Sequence, residues 1–324
     1  MIKYNMAQTA RRIVEDVASI KKGENVLLVT DSDRPFSITE ALAHAIAGAG
    51  GILSVMLMPP HKMGGIDPPG HVGAAMQAAE VVILQTSFAT VHTDTARNAL
   101  KKGVRIVDMW GWEEHMMTEG AALADYKEIQ KYTEKIAEII RNARQIRFTT
   151  PEGSDLRIEV ENRPVAMLTG VATQKGTFTA FPDGEVALSP QEGSAEGVLV
   201  DPISIEHKDL GVLRKPFGRV EIRAGKVVSM SGSPEADRFW RVLEENGNTA
   251  KNIAEFALGT NPACRPHVSL REAKKTRGTC HVAVGDSRTL GGNVESPLHV
   301  DLIFAKPTVY ADEQMILKDG QLSI

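Results

Sequence analysis

The chain has 324 residues, of which 42% are hydrophobic and 24% charged, so it can bury the cores of roughly two domains and is not disordered over most of its length. Lys and Arg total 37 against 41 Asp and Glu, a net charge of −4, which argues against general nucleic-acid binding and a polybasic membrane site. The two cysteines, Cys264 and Cys280, are too few for a disulfide scaffold, and no apolar run reaches the roughly 18 residues of a membrane span, so we expect a cytoplasmic protein.

The first 145 residues alternate between helical and strand patterns. Short runs rich in Val, Ile and Leu predict strands that are buried on both faces, and the segments between them have helical spacing. The predicted strands are residues 25–30, 52–58, 81–84 and 104–107, and the predicted helices are residues 7–20, 38–47, 71–79, 93–102 and 122–143. This alternation is typical of right-handed crossovers and a mostly parallel sheet with flanking helices.

The pattern becomes strand-rich after residue 145. Strands are predicted at residues 146–149 and 156–160, a hairpin at 218–230, and further strands from residue 299 to the end. One helix is predicted at residues 234–245, with Ser233 as its N-cap. We therefore predict an α/β protein with an N-terminal α/β domain, residues 1–145, and a β-rich α+β domain, residues 146–324, that carries a metal site.

Potential metal ligands gather in the predicted β-rich domain, on strand-like segments or at their ends. They are Glu185, Glu255, His281, His299 and Asp301. Side chains two residues apart on a strand point to the same face, so His299 and Asp301 can bind one metal together, or one metal each of an adjacent pair. Imidazole and carboxylate ligands suit Zn, Mn, Co or Fe(II) better than a metal that selects thiolates.

These residues stand in motifs that resemble the aminopeptidase T family of metallo-aminopeptidases. The matching text is GEV (residues 184–186), AEFALGTNP (254–262), GTCHVAVG (278–285), GG (291–292) and HVD (299–301). The resemblance covers about residues 180–320 and implies a two-metal site in a β-rich C-terminal domain, within a homodimer. It carries all five candidate ligands over as metal-site residues, with one of the two glutamates as an alternative base or bridging group.

The chain departs from those peptidases after His281. The family carries a tyrosine shortly after the matching histidine, whereas residues 286–290 read DSRTL here. A tyrosine can stabilise a tetrahedral oxyanion, so its absence argues against ordinary peptidase activity. Arg288 could supply positive charge instead and would favour an anionic substrate, although a surface arginine explains it equally well.

A second branch of the same superfamily, the 2,5-dihydroxypyridine 5,6-dioxygenases, is also similar. SAEGVLV (residues 194–200) and the stretch from GG (291–292) to HVD (299–301) resemble this branch. The resemblance implies a single Fe(II) held by two histidines and one carboxylate. His281, His299 and Asp301 could form that set, but we expect a histidine in this branch where the chain has Glu255.

The sequence favours a hydrolase of a peptide or small amide bond, since three carboxylates suit two Zn, Mn or Co ions better than one ion. Two cations would activate a water molecule, and Glu185 or Glu255 would take its proton. The alternative is a mononuclear Fe(II) ring-opening dioxygenase, and the third interpretation is a non-catalytic metal-binding protein. In every case we expect a small-molecule or short-peptide ligand and neither a nucleic-acid nor a membrane partner.

Overall fold

A computed structural model describes residues 2–61, 65–91, 93–207, 209–267 and 270–324. The chain forms two compact units, and each is built from two segments. The first comprises Met1–Glu128 and Leu168–Asp183, and the second comprises Ile129–Met167 and Gly184–Ile324. No helix within the described residues is both long enough and apolar enough to cross a bilayer.

The first unit begins with alternating helices and strands, as the sequence predicts. Its elements are α1 (Ile2–Arg12), a π-helical turn (Ile13–Val17), β1 (Asn25–Asp31), α2 (Phe36–Gly48), β2 (Ile52–Met58), α3 (Gly70–Ala78), β3 (Val81–Gln85), α4 (Asp94–Lys101), β4 (Arg105–Asp108) and two 3₁₀ turns (Glu114–Met117 and Gly120–Leu123). Strands β1 to β4 pair in parallel in the order β2-β1-β3-β4. Every residue of β3 is buried, which is why its sequence is continuously apolar up to Gln85.

The remaining elements are strand-rich. They are α5 (Tyr126–Arg141), β5 (Gln145–Thr149), β6 (Asp155–Glu159), β7 (Ala166–Leu168), β8 (Phe178–Thr179), β9 (Glu185–Leu188), β10 (Glu196–Val200), β11 (Ser204–Ile205), β12 (Gly211–Val212), β13 (Arg219–Arg223), β14 (Lys226–Ser231), α6 (Pro234–Glu245), a 3₁₀ turn (Asn248–Lys251), β15 (Ile253–Gly259), α7 (Leu270–Ala273), β16 (Thr279–Gly285), a 3₁₀ turn (Arg288–Leu290), β17 (His299–Ala305), β18 (Thr308–Ala311), β19 (Gln314–Lys318) and β20 (Gln321–Leu322). The fold class predicted from the sequence is confirmed.

The division between the units differs from the predicted boundary near residue 145. It falls inside α5, and the segment Leu168–Asp183 returns to the first unit. This segment belongs to the first unit because its short strand β8 pairs in parallel with β4 and forms the edge of the first sheet. The helix predicted at residues 122–143 is also shorter, since the Asp125 side chain accepts a hydrogen bond from the backbone N–H of Lys127 and α5 begins at Tyr126.

Two mostly antiparallel sheets form the second unit. One has the order β14-β13-β10-β6-β5-β18-β19-β20 and the other has the order β12-β11-β17-β16-β15-β9-β7. Their inner faces share a core in which the Phe148 ring of β5 lies 5.6 Å from Phe256 of β15 and 5.8 Å from Phe304 of β17. Burying each of these rings stabilises the unit by roughly 1.5–3 kcal/mol, so the core fixes which face of β15, β16 and β17 points inward.

Candidate metal centre

Strand alternation places the predicted ligands on the face of the second sheet opposite this core. The core takes Phe256 from β15, Val282 from β16, and Val300 and Leu302 from β17. Because side chains alternate along a strand, the neighbours of these residues project from the other face. Those neighbours include Glu255, His281, His299 and Asp301, and Glu185 begins β9 next to core residue Val186.

Pairing between adjacent strands brings the ligands together. Strand β15 lies between β9 and β16, and β16 lies between β15 and β17. Ala283 of β16 is opposite both Glu255 and Asp301, and Gly285 is opposite His299. Ala283 and Gly285 are small, so β16 leaves room for the longer side chains that β15 and β17 project beside it. All five predicted ligands therefore lie within one unit and on one sheet.

Glu255 lies at the centre of the group. One of its oxygens, Oε2, is 2.9 Å from His299 Nε2, and the other, Oε1, is 3.3 Å from His281 Nε2. His299 Nε2 is also 3.3 Å from Asp301 Oδ1, and His281 Nε2 is 3.7 Å from Glu185 Oε2. The five residues thus form two groups of three that share one carboxylate: Glu185, Glu255 and His281, and Glu255, His299 and Asp301.

The orientation of His299 suits a metal ligand. Its Nδ1 lies 2.7 Å from the backbone carbonyl oxygen of Asp286, to which it can donate a proton. In the neutral ring this leaves the lone pair on Nε2, which faces Glu255 and Asp301. Donation from the second ring nitrogen to a carbonyl is the usual support of a metal-binding histidine. The side chain of His299 is 33% exposed, so the group is open to solvent on this side.

Two lysines that no sequence motif marks also enter the group. Lys275 Nζ is 2.5 Å from Glu185 Oε1, and both side chains are buried. Lys274 Nζ is 2.8 Å from Asp301 Oδ2 and 2.7 Å from Glu206 Oε2. The sequence carries no signal for these roles, because a Lys-Lys pair near an arginine is typical of a solvated loop and the contacts join residues far apart in the chain.

Contacts among these side chains stabilise the ionised forms of the carboxylates and of the imidazoles. Burial opposes ionisation of Glu255, but the hydrogen bonds with His281 and His299 outweigh it and lower the pKa of Glu255 to about 2. Burial also opposes ionisation of Asp301, yet the charge of Lys274 holds the pKa of this carboxyl well below its ordinary value. Burial disfavours the charged form of both imidazoles, but the carboxylates around them raise the pKa values of His281 and His299.

The residues fit a divalent metal ion. An octahedral ion with ligands at roughly 2.1 Å has neighbouring donor atoms about 3 Å apart, close to the separations of His299 Nε2 from Glu255 Oε2 and Asp301 Oδ1. Asp301 Oδ1 and His281 Nδ1 are buried and make no hydrogen bond to any residue within the described ranges. Buried polar atoms are rarely left in that state without a water or an ion, so Asp301 Oδ1 is a strong candidate donor.

The two predicted catalytic glutamates have different surroundings. A carboxylate with a pKa of about 2 is a weak proton acceptor at neutral pH, so the environment of Glu255 favours a ligand over a base. Glu185 lies against Lys275 and farther from the imidazoles. The role of Glu185 as a base stays a prediction.

Arg288, the predicted substrate-binding residue, lies on the 3₁₀ turn after β16. Its guanidinium is 2.8 Å from Asp286 Oδ2 and 3.1 Å from Glu295 Oε1, and its side chain is about half exposed. These two carboxylates already balance its charge. Recognition of an anionic substrate by Arg288 remains a prediction that would require this pairing to change.

Comparisons with known proteins place this geometry in context. A 2,5-dihydroxypyridine 5,6-dioxygenase of Pseudomonas putida is 22% identical over 265 residues, covering 76% of this chain and 72% of that protein. The solved structure of 2,5-dihydroxypyridine dioxygenase from Pseudomonas putida KT2440 has a TM-score of 0.86 at 18% identity and covers 99% of this chain and 97% of the other. Wild-type AmpT from Thermus thermophilus, an aminopeptidase T, has a TM-score of 0.71 at 16% identity, with both chains covered completely.

These structural likenesses show a shared fold, whereas the family assignment rests on the sequence. The sequence pattern of the NicX family, described as 2,5-dihydroxypyridine 5,6-dioxygenase, matches residues 6–324. This range contains both units and all five candidate ligands. The chain therefore belongs to the NicX family.

Proposed function

We propose that this chain is a metal-dependent dioxygenase that opens a hydroxylated pyridine or a related aromatic ring, with one Fe(II) ion per chain. Membership of the NicX family and the similarity to a 2,5-dihydroxypyridine 5,6-dioxygenase support this reaction over amide hydrolysis. The proposal reverses the order favoured by the sequence alone. The observation that carries it is the charge of the buried group.

The charge of the group favours one ion over two. Its carboxylates are Glu185, Glu206, Glu255 and Asp301, and its ammonium groups are those of Lys274 and Lys275. With all four carboxylates ionised and the imidazoles neutral, the net charge is minus two, which one divalent ion balances. Burial raises the pKa of Glu206, and the charge of Lys274 opposes this effect. A second dication would leave uncompensated positive charge in a buried site, which is costly.

Each residue has a distinct part in the proposed site. Glu255, His299 and Asp301 would hold the ion, and His281 lies against the second oxygen of Glu255. When bound, Fe(II) would supply the redox chemistry that allows O₂ to react with an electron-rich ring. Asp286 fixes the His299 ring through its carbonyl oxygen, and the exposed edge of His299 gives a substrate access.

Glu255 distinguishes this site from the two-histidine, one-carboxylate set that the resemblance implies. Each of the two donor groups contains one imidazole and two carboxylates. Oxygen-rich sets suit hard divalent ions, and Fe(II) accepts both imidazole and carboxylate. Lys274 pairs with Asp301 and Glu206, and Lys275 pairs with Glu185, which lowers the net negative charge of the group, so the set remains compatible with a single Fe(II).

The test is oxygen consumption by protein that has been purified anaerobically and loaded with Fe(II). With 2,5-dihydroxypyridine we expect O₂ uptake and a product heavier than the substrate by both oxygen atoms. His299→Ala should abolish uptake and metal retention, whereas His44→Ala, which alters an exposed histidine of α2, should change neither. Absence of uptake with 2,5-dihydroxypyridine and with related dihydroxylated rings would reject the proposal.

A two-metal hydrolase is the second candidate. The observation that favours it is the sharing of Glu255 between two three-residue groups, because a shared carboxylate can bridge two ions. Its test is turnover of aminoacyl-anilides and of small cyclic or maleamate-type amides after loading with Zn, Mn or Co. Turnover that requires two ions per chain would favour this reaction over the dioxygenase.

A further inference from the structure

Lys274 connects the metal centre to a carboxylate outside the predicted ligand set. Glu206 follows β11, and its backbone N–H donates to the carbonyl oxygen of Asp301 on β17 at 2.8 Å. The two acidic side chains are therefore neighbours, and Lys274 Nζ lies between them at 2.7 and 2.8 Å. The backbone bond and the two ion pairs form a closed arrangement of three residues.

The two oxygens of Asp301 have different surroundings as a result. Oδ2 holds the ammonium group of Lys274, whereas Oδ1 is 3.3 Å from His299 Nε2 and makes no hydrogen bond to a described residue. The whole residue is 1% exposed, so it has no room to turn towards solvent. A carboxylate ligand can bind a metal through one oxygen or through both, and an ammonium group held on one oxygen repels a metal ion there and disfavours the second mode.

We infer that Lys274 is a positioning residue that confines Asp301 to ligation through Oδ1 alone, with Glu206 anchoring the ammonium group. This inference rests on the proposed function only in requiring a divalent ion at the site. One-oxygen ligation leaves a coordination position free for a substrate or for O₂. Without Lys274, Asp301 can offer both oxygens and occupy that position.

Cobalt provides a readout that does not depend on turnover. We would load the wild-type chain, Lys274→Met and Lys274→Arg with Co(II), whose visible absorption weakens as its coordination number rises. Lys274→Met should bind Co(II) with weaker absorption per ion, since Asp301 gains a second ligating oxygen. Lys274→Arg should keep the wild-type spectrum, because a guanidinium can contact both carboxylates.

The matched control is Lys251→Met. Lys251 is as exposed as Lys274, pairs with Glu244 and lies over the Trp240 ring, and neither of these partners belongs to the predicted ligand set. It should leave the Co(II) spectrum unchanged. If Lys274→Met does not fold, Lys274→Gln provides the same test, because its side chain is too short and uncharged to hold both carboxylates.

The catalytic activity of Lys274→Met provides a second test of the inference. In the Fe(II)-loaded enzyme Lys274→Met should lower kcat by roughly 10–100-fold with a smaller change in KM, as loss of a residue that orients a ligand typically does. A wild-type Co(II) spectrum in Lys274→Met or Lys274→Gln would overturn the inference. A changed spectrum in Lys274→Met, together with no O₂ consumption by the Fe(II)-loaded wild type, would support the inference and reject the dioxygenase, so the two failures are distinguishable.

Discussion

Glu255 differs from the other carboxylates of the site in contacting both imidazoles. Its two oxygens lie within hydrogen-bond distance of His281 Nε2 and His299 Nε2, which gives each ring a negative neighbour. A neutral side chain of the same shape would keep the volume but lose the charge. The effect of this substitution on metal binding therefore measures the contribution of the Glu255 charge.

Glu255→Gln should weaken Co(II) binding at least tenfold, or about 1.4 kcal/mol. The physical reason is the loss of one negative charge and one anionic donor from the group that holds the ion. Isothermal titration calorimetry of the metal-free protein measures the effect. Glu245→Gln, an exposed glutamate of α6, is the control and should bind as the wild type does. Equal affinity in both variants would remove Glu255 from the ligand set.

Metal binding should depend on pH through the two histidines. Their pKa values in the metal-free protein lie above the ordinary 6.5, because buried carboxylates stabilise the imidazolium forms against the effect of burial. A metal must displace those protons, so affinity should rise as pH increases through the raised pKa values.

The stability of the metal-free protein should change in the opposite direction. A raised folded-state pKa contributes stability that is fully present below about pH 6.5 and is lost as pH rises through the folded pKa. Thermal unfolding between about pH 6 and 9, with and without Co(II), measures both trends. A stabilisation by Co(II) that stays constant across this range would contradict protonation of the imidazoles in the metal-free site.

At the residue scale, the sequence predicts the ligand types but not their surroundings. Strand-like segments with His-x-Asp spacing are visible in the sequence, so strand alternation alone places His299 and Asp301 on one face. Lys274, Lys275 and Glu206 cannot be found in this way, because their roles depend on contacts across strands. Without the two lysines, three carboxylates keep one uncompensated negative charge beside a single dication, which is why the sequence alone favours the hydrolase.

At the element scale, β16 is the strand on which the site depends. It pairs with both β15 and β17 and therefore sets the separation between Glu255 and the His299–Asp301 pair. It ends at Gly285, whose φ of +108° favours glycine and whose missing Cβ would lie 2.1 Å from the carbonyl oxygen of Leu298. This close approach holds residue 299 beside the end of β16.

Gly285→Ala should therefore damage both stability and metal binding. Gly153→Ala is a matched control, since Gly153 has a φ of +107° but its added Cβ would meet nothing within 4 Å. Each variant should lose roughly 1–3 kcal/mol through backbone strain, and Gly285→Ala should lose more because its methyl group displaces Leu298. Urea unfolding and Co(II) titration measure the two effects. If the two variants were equally stable and bound Co(II) equally well, the close approach would have no role in the site.

The regular elements are largely predictable from local patterns. Ser233 caps α6 as expected, since its Oγ accepts a hydrogen bond from the N–H of Ala236 at 3.1 Å. Strands β1 to β4 are predictable because each is a short apolar run between turns. Strand β8 is not, because two residues carry no periodicity and its pairing with β4 joins segments about 70 residues apart.

At the scale of the whole molecule, the same fold occurs in proteins with two different chemistries. The chain is similar over its full length to both a dihydroxypyridine dioxygenase and AmpT, so the fold alone does not determine the reaction. The family assignment and the charge of the buried group favour the dioxygenase. The homodimer implied by the resemblance stays a prediction, as does the cytoplasmic location.

The metal content per chain distinguishes a one-ion site from a two-ion site. The protein should be purified without chelator and without oxygen, and its metals should be measured by elemental analysis against protein concentration. The one-ion site proposed here predicts close to one iron per chain in the wild type and far less in His299→Ala. Close to two Zn, Mn or Co ions per chain, both lost in Glu255→Gln, would contradict it and favour the hydrolase.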